Sequence, residues 1–231
     1  MKKPFAELSR FERGLWLTSV IVIAGSFLLS GGGDVLTIVA SLIGVTALIF
    51  IAKGYVLGQV LTVAFSVFYG VISFFFQYYG EVITYLCMTA PIAVVSILSW
   101  LRHPYEGTKE VEVSRISLKQ MIILACASVA VTVAFYFILA ALGNANLLFS
   151  TISITTSFVA SSLTFLRSPY YAVGYAANDL VLIVLWGMAT MESLSYLPMV
   201  LCFVMFFAND LYGFYSWQQM QKRQTARNAL S

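Results

Sequence analysis

Gln59, Thr62, Ser66, Tyr69 and Ser73 recur at spacings of three, four, three and four. That spacing sets five hydrogen-bonding side chains on one face of one helix, with Val, Leu, Ala and Phe on the others. A second row, Tyr175, Asn178, Asp179, Leu182 and Trp186, follows the same period. A later segment carries Asn209-Asp210 and Tyr212. The amides of Gln59, Asn178 and Asn209 suit a ligand that carries its own amide and hydroxyl groups. Tyr69, Trp186 and Tyr212 can stack on a flat ring, and their π faces favour a cationic one. Asp179 could balance a positive charge, since a lone Asp in hydrocarbon costs about 2.5–3.5 kcal/mol and calls for a partner or a cavity. A polar row can also be plain interhelical glue. The mixture of amide, hydroxyl, carboxylate and large aromatic on two related rows favours a cavity for a small polar aromatic solute.

The elements that hold these rows must cross a membrane. Of 231 residues, 60% are apolar and 10% charged, with a mean hydropathy of +0.89, far outside the soluble range. Eight apolar stretches are long enough to span, at Leu15–Ser30, Val35–Ala52, Tyr55–Phe76, Val82–Trp100, Met121–Leu142, Leu147–Leu166, Tyr170–Met188 and Leu194–Trp217. All 13 Lys and Arg residues lie before the first stretch, in alternate connections, or after the last. The turns around Gly31–Gly33, Tyr78–Gly80, Gly143–Asn146 and Met191–Ser193 hold none, which predicts both termini on the cytoplasmic side. The net charge of +3 fits contact with anionic lipid headgroups and not nucleic acid. The basic, then apolar N-terminus reads as a retained helix with no good cleavage site. Tyr and Trp at the span ends, Tyr78 among them, suit interfacial anchoring.

Sliding the chain by 117 residues places Ser99-Trp100 on Ser216-Trp217 and Tyr69-Gly70 on Trp186-Gly187, with Thr62 on Asp179. Spans two to four then match spans six to eight across a single linker span. The expected fold is an all-α polytopic bundle with a parallel 3+1+3 repeat plus an extra N-terminal helix. Its divisions are an N-terminal helix at 1–33, a first three-helix bundle at 34–101 and a loop with linker helix at 102–145. A second bundle at 146–218 and a tail at 219–231 complete it. In such repeats the substrate site lies between the halves near mid-membrane. Pro91 and Pro198 are candidate kinks. The hydroxyl-rich sixth span reads as close packing, and Asp210 as a helix contact or a solvated inner end.

Catalysis and cofactor chemistry find little support. No span contains a histidine, the single His103 sits in a loop, and no GxxxxGK[ST] segment exists. Asp179 and Asp210 fall on different helices at unequal depths, which argues against an acid pair for catalysis or ion binding. Cys87, Cys126 and Cys202 all lie in apolar stretches, which makes a metal cluster or disulfide framework improbable. No cofactor is expected.

The run Arg167-Ser168-Pro169-Tyr170-Tyr171, then Gly174-Tyr175-Ala176-Ala177-Asn178-Asp179-Leu180 and Trp186, with the later Asp210-Leu211-Tyr212-Gly213-Phe214-Tyr215-Ser216-Trp217, resembles the PnuC transporters of bacteria. The resemblance covers spans two to eight; the extra N-terminal span departs from a seven-helix core. It implies a SWEET-like fold, a homotrimer in the inner membrane, and uptake of nicotinamide riboside by facilitated diffusion. A cytoplasmic kinase would trap the riboside by phosphorylation. By this likeness Gln59, Asn178, Asn209, Trp186 and Tyr212 are substrate contacts, with Thr62, Ser66, Tyr69 and Asp179 completing the lining. Thiamine, another cationic-ring vitamin, or ion-coupled transport is the alternative.

Overall fold

A computed structural model describes residues 4–30, 35–75, 79–144 and 146–229. The expected turn at Gly31–Gly33, the Phe76 end of the third span, the anchor Tyr78, and Lys2 and Lys3 lie outside the described residues. Among those described, eight helices are long and apolar enough to cross a membrane. They are α1 (Arg10–Leu29), α2 (Val35–Ala52), α3 (Val56–Phe75), α4 (Tyr79–Arg102), α5 (Leu118–Ala141), α6 (Leu147–Phe165), α7 (Tyr171–Glu192) and α8 (Leu197–Asn228). The expected count of eight is met. Helices α2, α3 and α4 pack together, as do α6, α7 and α8, and α2 meets α8 between the groups. Helix α5 packs mainly on its neighbour α6, with Leu139 also against Met88 of α4, and exposes Ile122, Val129 and Phe137. That face suits lipid, where exposed apolar surface carries no penalty.

Two elements differ from the sequence reading. The last helix continues 11 residues past Trp217 to Asn228, where the sequence suggests a free tail. Its extension is docked: the Gln224 side chain donates to the Val111 carbonyl at 3.1 Å and accepts from the Val113 amide at 2.8 Å. Arg223 pairs with Glu110, and Arg227 with Glu106 at 3.0 Å. Docking stabilises a helix whose composition alone looks solvent-bound. The second difference is a π-helical stretch, Ile83–Thr89, inside α4, whose final bond runs from the Ala90 amide back to the Tyr85 carbonyl. Pro91 follows at once and has no N–H to give, so the widened turn is where the ladder adjusts.

The basic connections gather at one end, and the strongest pseudo-symmetric contacts are there. Trp217 Nε1 donates to the Ile51 carbonyl at 2.8 Å, and Ser216 Oγ to the Ala52 carbonyl at 2.8 Å. Trp100 Nε1 donates to the Thr164 carbonyl at 3.1 Å, and Ser99 Oγ to the Phe165 carbonyl at 3.3 Å. In each Ser-Trp pair the Ser hydroxyl reaches a carbonyl at the end of the other bundle's first helix, and the Trp adds a second hydrogen bond to a carbonyl that the turn amide of Gly54 or Arg167 also bonds. The two following turns use left-handed residues, Gly54 (φ 68°) and Arg167 (φ 58°). Their carbonyls both accept from the α4–α5 loop, from Val111 N at 3.0 Å and Ser114 N at 2.9 Å. One loop straps both turns.

Helix α1 lies across α2 and α8. A Ser9–Glu12 capping box starts it, and buried Glu12 also accepts from Lys53 Nζ at 3.2 Å and from the Tyr212 hydroxyl at 3.0 Å. Nearby, Lys109 hydrogen-bonds the Glu7 carboxylate at 2.6 Å and holds it below the usual carboxylate range. A lowered native value means this contact helps above the ordinary carboxylate range and is lost as pH falls through it.

Close helix approach is bought with glycine. A Cβ on Gly174 would sit 2.9 Å from the Cα of Ala160, at the α6–α7 crossing. Gly174→Leu is expected to destabilise the protein by about 1–3 kcal/mol through overpacking. Gly187→Ala, at an open position, should cost nothing. Thermal unfolding in detergent, compared for the two variants, checks both expectations.

Candidate functional site

Between the two helix groups lies a small cavity of about 50 Å³. Thr62 and Phe65 of α3, Tyr85 and Thr89 of α4, Ser157 of α6, Tyr175, Asn178 and Asp179 of α7, and Phe206 and Asp210 of α8 line it, with Gly44 of α2. A Cβ at Gly44 would lie 2.5 Å from Phe206 Cζ, so glycine is what lets that ring close the wall. The π stretch of α4 supplies Tyr85 and Thr89 together.

Asn178 is held from outside the cavity. Its side-chain oxygen accepts from Ser153 Oγ at 2.9 Å and Thr156 Oγ1 at 3.0 Å, which leaves its amide N–H groups for another partner. Two of the sixth span's hydroxyls therefore orient this amide and do more than pack. Asp179 and Asp210 are both buried, and both line the same cavity wall. The sequence reading set these acids apart because they sit at different positions along their spans. The structure corrects it: α7 and α8 run antiparallel, so residues 31 apart on the chain meet across the interface. Asp179 Oδ2 is buried without a hydrogen-bond partner.

The remaining residues of the two rows divide. Gln59, Ser66, Tyr69 and Ser73 are buried in the bundle, and Gln59 Nε2 and Ser66 Oγ have no hydrogen-bond partner among the described residues. Only Thr62 of that row reaches the cavity wall, and its hydroxyl donates to the Gly58 carbonyl at 3.0 Å. Tyr69 and Trp186 lie side by side, farther from the basic end, in an aromatic cluster above the cavity. There Tyr69 and Tyr85 have ring centroids 4.5 Å apart, Phe65 meets Tyr85 edge-on at 5.6 Å, and Phe203 meets Phe206 at 5.7 Å.

Asn209 and Tyr212 turn away from this cavity. Asn209 Nδ2 donates to Ser19 Oγ of α1 at 2.9 Å, and Tyr212 binds Glu12 and packs on Phe11 at 5.1 Å. Both are tied to α1 because they stand one residue before and two after Asp210, roughly a third of a turn or more around the helix. Phe65, Tyr85, Thr89, Ser157, Phe206 and Asp210 are among the lining residues that sequence reasoning missed. Asp210 had a legible signal, a carboxyl within an apolar span. The aromatics had none, since a Phe or Tyr in such a span reads equally well as lipid-facing or core.

Two wider clefts flank the cavity. One, of about 370 Å³, opens at the basic end beside Glu12, Lys53 and Tyr212. The other, of about 360 Å³, opens at the opposite end beside Trp186 and Glu81. Ligand pockets usually measure about 300–1,000 Å³, so the middle chamber is contracted and the ends are open.

Buried carboxyl, amide and hydroxyl groups at a cavity inside a bundle of membrane-spanning helices are the architecture of a polytopic membrane transport protein. Residues 34–219 match the family model described as nicotinamide mononucleotide transporter, and the chain belongs to that family. It is 25% identical to the nicotinamide riboside transporter PnuC of Neisseria mucosa over 228 residues, covering 96% of this chain and 86% of the relative. Its fold matches the crystal structure of the vitamin B3 transporter PnuC with a TM-score of 0.81, at 25% identity, over 94% of both chains. The resemblance read from the sequence is thereby shown, while α1 lies outside the family model's range.

Proposed function

We propose that this protein carries nicotinamide riboside into the bacterial cytoplasm across the inner membrane by facilitated diffusion. The observation that carries this reading is the central chamber. It joins a carboxyl pair, a pre-oriented amide, hydroxyls and aromatic rings, the groups that complement a flat cationic ring with a carboxamide and a ribose. Asp179 with Asp210 supplies the counter-charge, Asn178 binds the carboxamide or ribose, and Tyr85, Phe65 and Phe206 enclose the ring. Gln59 and Ser66 become ligand or water partners when α3 parts from its neighbours, and Tyr69 with Trp186 forms the outer barrier. Asn209 and Tyr212 support the path through α1.

The 13 basic residues at one end support cytoplasmic termini. The crossed Ser-Trp contacts support a parallel 3+1+3 arrangement, with the halves parting at the chamber. A cytoplasmic kinase acting on the riboside completes net uptake, and the protein works as a homotrimer. Purified protein in liposomes tests the core of this reading. Nicotinamide riboside should equilibrate with no gradient imposed, and should accumulate only when kinase and ATP are enclosed. Cross-linking of the purified protein should stop at a trimer.

The two acids favour a second reading, proton-coupled carriage, because neighbouring buried carboxyl groups disfavour ionising together and so retain a proton between them that transport could carry. Uphill uptake driven by a proton gradient alone would establish that reading over uniport. Thiamine added in excess should compete weakly, and strong competition would shift the substrate assignment.

A further inference from the structure

The cleft at the end opposite the basic loops contains groups the central site does not use. Glu81, at the start of α4, and Glu192, at the end of α7, face it with Asn144, Asn146 and Trp186. Asn144 Nδ2 donates to Ser150 Oγ at 2.8 Å, which fixes that amide at the rim. Glu81 Oε2 is buried with no hydrogen-bond partner, and no Lys or Arg lines the cleft. The ion pairs among the described residues all lie at the other end of the molecule, in the N-terminal segment, the basic loops and the α8 extension. Glu192 sits in the last turn of α7, where a carboxylate opposes the helix dipole. Neither acid is explained by stability. Together they set two carboxyl groups, with no Lys or Arg among the described lining residues, next to an indole whose ring meets Tyr196 at 5.8 Å.

We propose that this cleft is a capture site for cationic-ring nucleosides, in which Glu81 and Glu192 hold the charge and Trp186 provides the stacking face before the substrate passes inward. The assignment rests on the transport reading above. It divides labour by depth: an open cleft of about 360 Å³ receives a nucleoside-sized solute, whereas the 50 Å³ chamber must first expand. A cleft of one sign with low-dielectric walls concentrates the oppositely charged ligand and speeds its encounter. Such steering acts on apparent affinity and weakens with salt.

Initial uptake rates in right-side-out vesicles, measured for nicotinamide riboside and for its uncharged dihydro form, test this. Glu81→Gln with Glu192→Gln is expected to raise the KM for the cationic riboside about tenfold at low salt. Its maximum rate should stay within twofold, the difference should shrink at high salt, and the KM of the dihydro form should hold. An unchanged KM, or an equal rise for both compounds, overturns the capture site. If Glu81→Gln does not fold, the exposed Glu192→Gln is read alone, with a severalfold KM rise for the cation as the expected result and no rise as the refutation. A wild-type protein that moves neither riboside sinks the transport reading itself, whereas wild-type transport indifferent to these charges sinks only the capture site.

Discussion

Asp179→Asn combined with Asp210→Asn should cut the apparent affinity for nicotinamide riboside about a hundredfold while leaving the protein folded. Removing one side of a buried charge interaction costs about 2–5 kcal/mol, and a loss near 3 kcal/mol corresponds to roughly two orders of magnitude. Asp179 and Asp210 both line the chamber, and a carboxylate there is what a cationic ring would meet, ring and carboxylate each stabilising the charged form of the other. The amide pair keeps size and hydrogen bonding and removes only the charge. Thermal stability should hold or rise, because two buried acids are costly to desolvate and neutral isosteres relieve that cost. Affinity lost at unchanged or raised melting temperature separates the ligand role from misfolding. Single variants are expected to lose less, since either remaining carboxyl can still present a charge. Calorimetric titration of the four proteins measures the effect, and wild-type affinity in the double variant would remove the carboxyl pair from the binding site. Uptake of the uncharged dihydro form should fall far less in the same variant, which ties the loss to charge.

Trp217→Ala should destabilise the protein by about 3–5 kcal/mol, the usual range for deleting a large buried aromatic. Trp217 is fully buried, packs on Tyr171 at 4.9 Å and Trp100 at 5.5 Å, and donates to the Ile51 carbonyl. Trp217→Phe isolates the polar part: it keeps most of the packing and removes one of two hydrogen bonds to the Ile51 carbonyl, which still accepts from the Gly54 amide, for a loss of about 0.5–1.5 kcal/mol. Trp100→Phe removes the counterpart bond to Thr164 and should cost a similar amount. The two bonds are far enough apart in the chain, yet close enough through the touching indoles, that the double variant should deviate from additivity. Chemical denaturation or thermal melts in detergent give the energies. A Trp217→Ala protein as stable as wild type would show that these contacts do not hold the bundles together.

Much of the architecture was legible because a membrane imposes its own arithmetic. Span length follows from hydrocarbon thickness and orientation from the placement of Lys and Arg, so eight helices and one basic end could be counted without coordinates. Ser99-Trp100 and Ser216-Trp217 were visible as a repeated pair, although what they bind was not. The polar rows were visible as periodicity. Their destinations were less so, since periodicity gives a face and not the neighbour it meets. Gln59 and Ser66 went to the bundle interior, Thr62 alone to the chamber, and Asn209 and Tyr212 to α1.

What the sequence by itself determined is the set of local and one-dimensional properties: helix count, which connections are basic and which are not, and a short list of polar residues that hydrocarbon does not tolerate alone. Only the tertiary structure decided which of them share a site. Asp179 and Asp210 meet because α7 and α8 turn back on each other, Tyr85 and Thr89 enter the wall because Pro91 follows a π turn, and Glu81 reaches the mouth beside Glu192. Rotation about a helix axis and the pairing of helices depend on side-chain packing across the whole bundle. Those are non-local contacts, and no window of sequence contains them.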